Sequence, residues 1–159
     1  MRHVTETDAE FIFELVNEPG WIQNIGDRGV RTIDDARQFI ADRLAASYDR
    51  FGFGLYLVEL KESGASAGIS GLVRRDSLAD ADIGFAFLER FQSKGYAFES
   101  AAAVLDYAQS TLGLKRILGI VSPHNRGSIK LLEKLNLRFE RMIKMPADDE
   151  EIKLFARDF

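Results

Sequence analysis

The chain has 159 residues, of which 46% are apolar and 29% charged, and its formal net charge at pH 7 is −4. This length suits a single domain over residues 1–159, with a core that needs no cross-links. The absence of cysteine excludes disulfides, thiol nucleophiles and cysteine-based metal sites, and two histidines are too few for a histidine-rich metal centre. The acidic balance gives no electrostatic basis for nucleic-acid binding, and no apolar run is long enough for a membrane span, so we expect a cytoplasmic protein.

The N-terminal third is predicted to be mainly helical. Residues 2–4 resemble a short strand, and Thr7-Asp8-Ala9-Glu10 has the capping-box form at the start of a helix that ends before Pro19. Thr32 is predicted to cap a second helix, in which apolar residues follow helical spacing as far as Leu44.

Residues 21–31, between these two helices, are predicted to form a loop that is too apolar for a plain linker. It carries the only tryptophan of the chain, Trp21. Packing in the core is the commoner role of a large aromatic side chain, and a place in a substrate pocket is the alternative.

From Phe53 the pattern becomes strand-like. Residues 53–60 and 67–73 are predicted to form a hairpin. Its turn contains Gly64-Ala65-Ser66-Ala67-Gly68, which matches the nucleophile elbow of serine hydrolases. An elbow needs a helix after the serine, whereas strand residues follow here, so we interpret the match as accidental.

The most informative stretch joins a buried strand, Ile83 to Leu88, to an Ala-rich helix that extends from Ala97 to Leu112. The loop between them leads to a helix N-terminus, whose first amide N–H groups have no partner inside the helix. This predicts a site for an anion, most naturally a phosphate. Gly95 is the only glycine of the loop, which excludes the Walker and dinucleotide-binding glycine motifs.

Three further strands and a short helix complete the pattern: strands over 115–121, 139–144 and 151–155, and a helix over 129–135. The order of elements predicts an α+β fold with a mixed, largely antiparallel sheet of about six to seven strands and helices on both faces.

Two motifs resemble those of the GNAT superfamily of N-acetyltransferases. Gln92-x-x-Gly95-x-Ala97 is similar to the pyrophosphate loop of that family, Gln/Arg-x-x-Gly-x-Gly/Ala. Asn125-x-x-Ser128 and the helix after it are similar to the second family signature, with Asn136 where the family usually has glycine. Asparagine is the residue that best tolerates the left-handed conformation after glycine. The resemblance covers nearly the whole chain and is closest to the RimJ/RimL-type branch, the ribosomal-protein N-terminal acetyltransferases.

This resemblance implies direct transfer of an acetyl group from acetyl-CoA to a primary amine, either a protein N-terminus or a small molecule. It implies that the backbone of Phe87 and Leu88 pairs with the pantetheine arm and that Asn125 contacts the same arm. An N-cap role for Asn125 is an equal alternative, and the two roles can coexist. The residues implied to hold the pyrophosphate are Gln92, Ser93, Lys94, Gly95, Tyr96 and Ala97.

For catalysis, the resemblance implies Asp82 as the base, because many relatives carry a glutamate there. Aspartate is one methylene shorter, which favours a water relay, and a solvated strand-end carboxylate is the alternative. Ser128 lies where members of this branch place a hydroxyl near the sulfur. The frequent family tyrosine, seven residues after the asparagine, is Leu132 here. The proton for the leaving thiolate would then come from Ser128 or water.

Two expectations stay open at this level. A catalytically weak acyl-CoA-binding module, which senses or regulates, is the alternative to an active enzyme, and the protein is either a monomer or a homodimer. The acidic run Asp148-Asp149-Glu150-Glu151 lies in the closing hairpin, which borders the acceptor site in the family. It predicts a preference for cationic acceptors, with a solvated turn as the alternative.

Overall fold

The computed structural model describes residues 1–146 and 150–159. The helices are α1 (Ala9–Asn17), α2 (Pro19–Asn24), α3 (Ile33–Phe39), α4 (Ala46–Phe51), α5 (Tyr96–Ser110) and α6 (Arg126–Lys134). The strands are β1 (Leu55–Glu59), β2 (Ser66–Val73), β3 (Asp82–Phe87), β4 (Arg116–Val121), β5 (Arg138–Lys144) and β6 (Glu151–Asp158). A π-helical turn, Ile40–Ala45, joins α3 to α4, and short 3₁₀ turns cover Glu6–Asp8 and Glu89–Phe91.

The strands form one sheet in the order β1-β2-β3-β4-β6-β5. Every neighbouring pair is antiparallel except β3 and β4, which are parallel. The predicted mixed, largely antiparallel sheet is therefore confirmed, with six strands. The strand predicted at residues 2–4 is reduced to a single bridge between Arg2 and Leu57.

Helices cover both faces of the sheet, as predicted. Helices α5 and α6 bury Val104, Leu105 and Leu132 with Ile117 and Phe155 on one face. The α1 and α3 side buries a second cluster on the other face, which includes Ile12, Leu15, Ile40, Leu57 and Ile69. None of the described helices is long and apolar enough to cross a membrane.

Two local predictions in the N-terminal third are wrong. The capping box is formed by Thr5 and Asp8, because a 3₁₀ turn precedes α1, and the Thr5 amide donates to the Asp8 carboxylate at 2.8 Å. The predicted loop over 21–31 begins inside α2, since Pro19 occupies the first turn of this helix rather than terminating the previous one. Trp21 is 7% exposed and packs in the core cluster of α1 and α3, which is the commoner of its two predicted roles.

Several other local predictions are confirmed. The Thr32 hydroxyl accepts the Asp35 amide at the start of α3. Gly64 has a φ of +71° in the turn between β1 and β2, and Ser66 begins β2, so no helix follows the Gly-x-Ser-x-Gly match. Asn136 adopts the left-handed conformation, with a φ of +63°, after α6.

Candidate active site in the wedge between β3 and β4

The two parallel strands of the sheet pair at one position only. Asp82 of β3 lies opposite Leu118 of β4, and the Leu118 amide donates to the Ala81 carbonyl at 3.0 Å. Residues 83–87 and 119–121 have no partner across this boundary. The strands therefore separate towards their C-terminal ends and leave a wedge with Asp82 at its apex.

One of the two residues predicted to pair with a ligand in this wedge turns its backbone towards it. The Leu88 amide donates to Ala67 of β2 at 3.0 Å, and in an antiparallel ladder the backbone groups of successive residues point to opposite sides. The backbone groups of Phe87 therefore point away from β2 and into the wedge. The Phe87 carbonyl accepts the Gln92 side-chain amide at 2.9 Å, which places Gln92 at the same opening.

Leu88, the other residue, makes backbone hydrogen bonds inside the protein, and its pairing with a ligand stays a prediction. Its amide bonds Ala67, and its carbonyl accepts the Phe91 amide at 2.8 Å. Both backbone groups are thus used inside the protein, because Leu88 continues the β2 ladder and then begins the turn Glu89–Phe91. Its side chain is fully buried in the core beneath α1 and α3.

The loop after this turn has a conformation that suits an anion. Ser93 and Gly95 have positive φ values of 58° and 89°. Left-handed residues among right-handed ones orient successive amides into one concavity. Gly95 is the N-cap residue of α5 and has no side-chain cap, so the first amides of this helix, at Tyr96 and Ala97, have no capping acceptor.

The space around this loop is open. A Cβ atom placed on Gly95 would meet no heavy atom within 4 Å, and residues 92–95 are exposed. The helix dipole and the free amides favour a negative group here. The loop thus fits the pyrophosphate predicted for it.

Helix α1 fixes the start of the loop. The Glu18 carboxylate accepts the Glu89 amide, at 2.9 Å and 3.2 Å to its two oxygens. Arg90 forms an ion pair with Glu14, in which one Nη atom lies 3.1 Å from Oε2. These contacts have no local sequence signal, because the partners are more than 70 residues apart.

The opposite wall of the wedge begins at α6. Asn125 Oδ1 accepts the Ser128 amide at 3.0 Å, so the N-cap role of Asn125 is confirmed. Within the described part of the chain, neither Asn125 Nδ2 nor Ser128 Oγ has a hydrogen-bond partner, and both residues are partly exposed. Both atoms therefore stay available to a ligand.

Leu132 is 2% exposed and belongs to the core under α6. A Cβ atom at Gly119 of β4 would come within 2.9 Å of its side chain. The position of the frequent family tyrosine is therefore a packing position here.

The apex of the wedge holds the candidate base. Asp82 is 1% exposed, and Arg75 Nε donates to its Oδ1 at 2.9 Å. The alternative of a solvated strand-end carboxylate is therefore wrong. Burial raises the pKa of Asp82 to about 6, while the charge and the hydrogen bond of Arg75 act in the opposite direction. A buried carboxylate with a raised pKa at the apex of the wedge is a candidate for proton transfer.

The acidic run of the closing hairpin is only partly described. Asp148 and Asp149 lie outside the described residues, and Glu150 and Glu151 are exposed. The expectation of cationic acceptors stays a prediction.

Comparison with known proteins finds one matching family and several similar sequences. Residues 1–138 match the sequence profile of the acetyltransferase (GNAT) domain. An uncharacterized N-acetyltransferase, YnaD of Bacillus subtilis, is 26% identical over 137 residues, which is 86% of this chain and 77% of that protein. The ribosomal protein uS5-alanine N-acetyltransferase of Escherichia coli is 34% identical over 94 residues, which is 59% of this chain and 48% of that enzyme.

A solved structure shares the fold. The RimL ribosomal L7/L12 α-N-protein acetyltransferase in complex with coenzyme A superposes with a TM-score of 0.83. The superposition covers 99% of this chain and 92% of that structure, at 18% sequence identity.

Proposed function

Because the chain belongs to the GNAT acetyltransferase family, whose members use acetyl-CoA, we propose that it transfers the acetyl group of acetyl-CoA to a primary amine. The observation that carries the proposal is the wedge between β3 and β4, whose open end leads to the uncapped N-terminus of α5. We propose that residues 1–159 form a single domain that carries out this reaction.

The wedge and its loop supply the groups that hold acetyl-CoA. The amides of the loop and of the first turn of α5 bind the pyrophosphate, and the Phe87 backbone pairs with the pantetheine arm as an added strand. Asn125 contributes its free side-chain amide while its oxygen caps α6. The loop residues are Gln92, Ser93, Lys94, Gly95, Tyr96 and Ala97.

Acetyl-CoA supplies an acyl thioester, which the amine attacks directly without an acyl-enzyme. A carbon–nitrogen bond forms and the carbon–sulfur bond breaks. Asp82 takes the proton that the ammonium loses, directly or through a water molecule. The Ser128 hydroxyl donates a proton to the departing sulfur and regains one from water. The nitrogen loses its second proton to water as the amide forms, and Asp82 releases its proton to solvent. The ammonium and the thioester thus give an amide, the CoA thiol and one proton, without a net change in the enzyme.

The acceptor is a primary amine, either a protein N-terminus or a small molecule. The similarity to the uS5-alanine enzyme and the fold shared with RimL support a protein N-terminus. The exposed carboxylates of the closing hairpin support a cationic acceptor.

Titration calorimetry with acetyl-CoA, followed by thiol release measured with DTNB, tests the function. The panel contains N-terminal peptides, polyamines and amino sugars. Because the chain has no cysteine, the enzyme adds no thiol background. We expect binding, and thiol release with one class of amine. Binding without release from any amine would favour the acyl-CoA-binding module, and absence of binding would refute both functions.

A further inference from the structure

The proposed reaction leaves the guanidinium at the apex of the wedge without a role. Arg75 lies in the connection between β2 and β3, and its side chain is 35% exposed, whereas that of Asp82 is 2% exposed. The contact joins Arg75 Nε to Asp82 Oδ1 at 2.9 Å. A partly solvated cation thus lies against a buried carboxylate.

We propose that Arg75 is a positioning residue for Asp82, which keeps this carboxylate ionised and fixes its orientation towards the acceptor amine. The proposal rests on the proposed function, because it depends on Asp82 as the base. The guanidinium contacts Oδ1 and not Oδ2, so the second oxygen is not held by Arg75 and can receive the proton of the amine.

The nearest other charges are engaged elsewhere. Asp80, two residues before Asp82, lies 3.8 Å from Arg116 Nε. Arg116 also forms ion pairs with Glu140 and Asp158, so its charge is shared among three carboxylates.

Among the residues that the structure describes, the remaining neighbours of Asp82 supply no second cation. Its strand partners, Val73 of β2 and Leu118 of β4, are apolar. Arg74 donates to the Ala79 carbonyl at 2.7 Å and is exposed. Within the described part of the chain, Arg75 is the one cationic side chain in contact with Asp82.

The electrostatic balance at Asp82 explains why a base at this position needs Arg75. Burial raises the pKa of Asp82 to about 6, and Arg75 opposes that rise. Without the guanidinium, only a backbone hydrogen bond opposes the effect of burial, and the pKa of Asp82 rises further. A protonated carboxyl cannot accept a proton from the amine, so the fraction of active enzyme would fall.

A purely structural role makes a different prediction. The same bond ties the connection 74–81 to β3, and this connection buries Leu78 against Leu118 and Leu154. If Arg75 only anchored this segment, its loss would lower stability and activity equally at every pH. The pH dependence therefore separates the two roles.

The kinetic test is kcat/KM for the acceptor as a function of pH. We expect Arg75→Gln to move the acid limb of the kcat/KM profile about one pH unit or more to higher pH. At pH values below this limb, kcat/KM should then fall about tenfold. Arg75→Lys should recover part of the loss, because it keeps the charge but not the planar donor. The matched control is Arg74→Gln, which removes the adjacent arginine and should keep the wild-type profile.

The same substitution in the Asp82→Asn background shows whether Arg75 acts through Asp82. There, Arg75→Gln should change kcat/KM by less than about twofold at any pH, because the two residues form one functional unit. An equal loss in both backgrounds would overturn the proposal. A wild-type acid limb in Arg75→Gln would overturn it as well.

A second measurement does not need activity. The pKa of folded Asp82 lies above the ordinary value of 3.8, so its contribution to stability is complete below about pH 3.8 and is lost as the pH rises through about 6. Calorimetry from pH 5 to 8 should show that the free energy of unfolding falls more in Arg75→Gln than in wild type. This additional fall should be absent when Asp82 is replaced by Asn.

The two failures are therefore distinguishable. A wild type that binds acetyl-CoA but acetylates no amine refutes the proposed function, while calorimetry still decides whether Arg75 keeps Asp82 ionised. Equal pH dependence of stability in wild type and Arg75→Gln refutes the role of Arg75, whatever the activity.

Discussion

Gly95 combines two constraints in one residue: a φ of +89° and a position beside the free amides of α5. A β-branched side chain is strained at this φ and would obstruct the approach of a pyrophosphate to the backbone. We therefore expect Gly95→Val to abolish acetyl-CoA binding in titration calorimetry while the fold persists.

Gly64 provides the matched control for this substitution. It has a φ of +71° in the turn between β1 and β2, and an added Cβ would likewise meet no heavy atom within 4 Å. Because of the same backbone strain, Gly64→Val should lower the Tm by a similar amount to Gly95→Val. It should keep wild-type affinity for acetyl-CoA. If Gly95→Val also kept that affinity, the loop would not be the pyrophosphate site.

Asp82 is proposed to remove the proton of the amine, and Ser128 is proposed to protonate the departing sulfur. Kinetic measurements can separate these two roles. Asp82→Asn should lower kcat/KM by about 10²-fold, the low end for a positioned acid–base group, with unchanged acetyl-CoA affinity. Its rate should recover as the pH approaches the pKa of the acceptor amine, because a neutral amine needs no base. Ser128→Ala should lower turnover without moving the acid limb. A wild-type profile in Asp82→Asn would make Asp82 structural.

At the scale of elements, Asn125 has two separable roles at the start of α6. Its oxygen caps the helix, and its Nδ2 is free for the pantetheine arm. Asn125→Asp keeps a capping acceptor but loses the donor, so we expect weaker acetyl-CoA binding at near-normal stability. Asn125→Ala should also cost about 1 kcal/mol in the free energy of unfolding.

Thr32→Ala is the control for the cap alone. Thr32 caps α3 through the same type of bond, in which its hydroxyl accepts the Asp35 amide at 3.1 Å. In chemical denaturation, Thr32→Ala should lose a similar free energy of unfolding to Asn125→Ala, but it should bind acetyl-CoA with wild-type affinity. Equal affinity of Asn125→Asp and wild type would confine Asn125 to capping.

Elements with local signals were predictable from the sequence. The β1–β2 hairpin, the cap at Thr32 and the left-handed Asn136 depend on residues close in the chain. The direction in which each backbone group of a strand points could not be predicted in this way. Whether Leu88 or Phe87 faces the wedge depends on the pairing with β2, and a one-residue change of phase reverses the answer.

Contacts between distant segments had no such signal. Glu18 and Glu89 are 71 residues apart, and only the packing of α1 beside the turn brings them together. The burial of Asp82 also lacks a local signal, because its neighbours at the apex come from β2, β4 and the connection that carries Arg75.

At the scale of the whole molecule, Arg2 joins three parts of the chain. Its backbone pairs with Leu57 of the edge strand β1, and its guanidinium bonds Asp8 through two nitrogens, each at 2.8 Å, and Glu59 through Nε. Asp8 also receives the Thr5 amide at the start of α1. This cluster fixes the N-terminal segment and α1 to the edge strand β1, which β2 separates from the wedge.

The Asp8 cluster predicts an acid-side loss of stability. The hydrogen bonds from Arg2 hold the pKa of Asp8 below its ordinary 3.8, although partial burial opposes them. Because the folded pKa lies below the unfolded one, the contribution is present above about pH 4 and is lost as the pH falls through the folded pKa. Asp8→Asn should therefore lower the free energy of unfolding at pH 7 by about 2 kcal/mol, the magnitude for a hydrogen bond to a charged group.

The measurement is urea unfolding of wild type and Asp8→Asn from pH 7 to pH 2.5. The difference between the two proteins should shrink as the pH falls, because protonated Asp8 no longer attracts Arg2. Asp34→Asn is the control, since Asp34 is 89% exposed in its ion pair with Arg37 and such pairs contribute little. Acetyl-CoA affinity should be unchanged in both variants at pH 7, because neither residue lies at the wedge. A constant difference across the pH range would mean that Asp8 acts through packing and not through its charge.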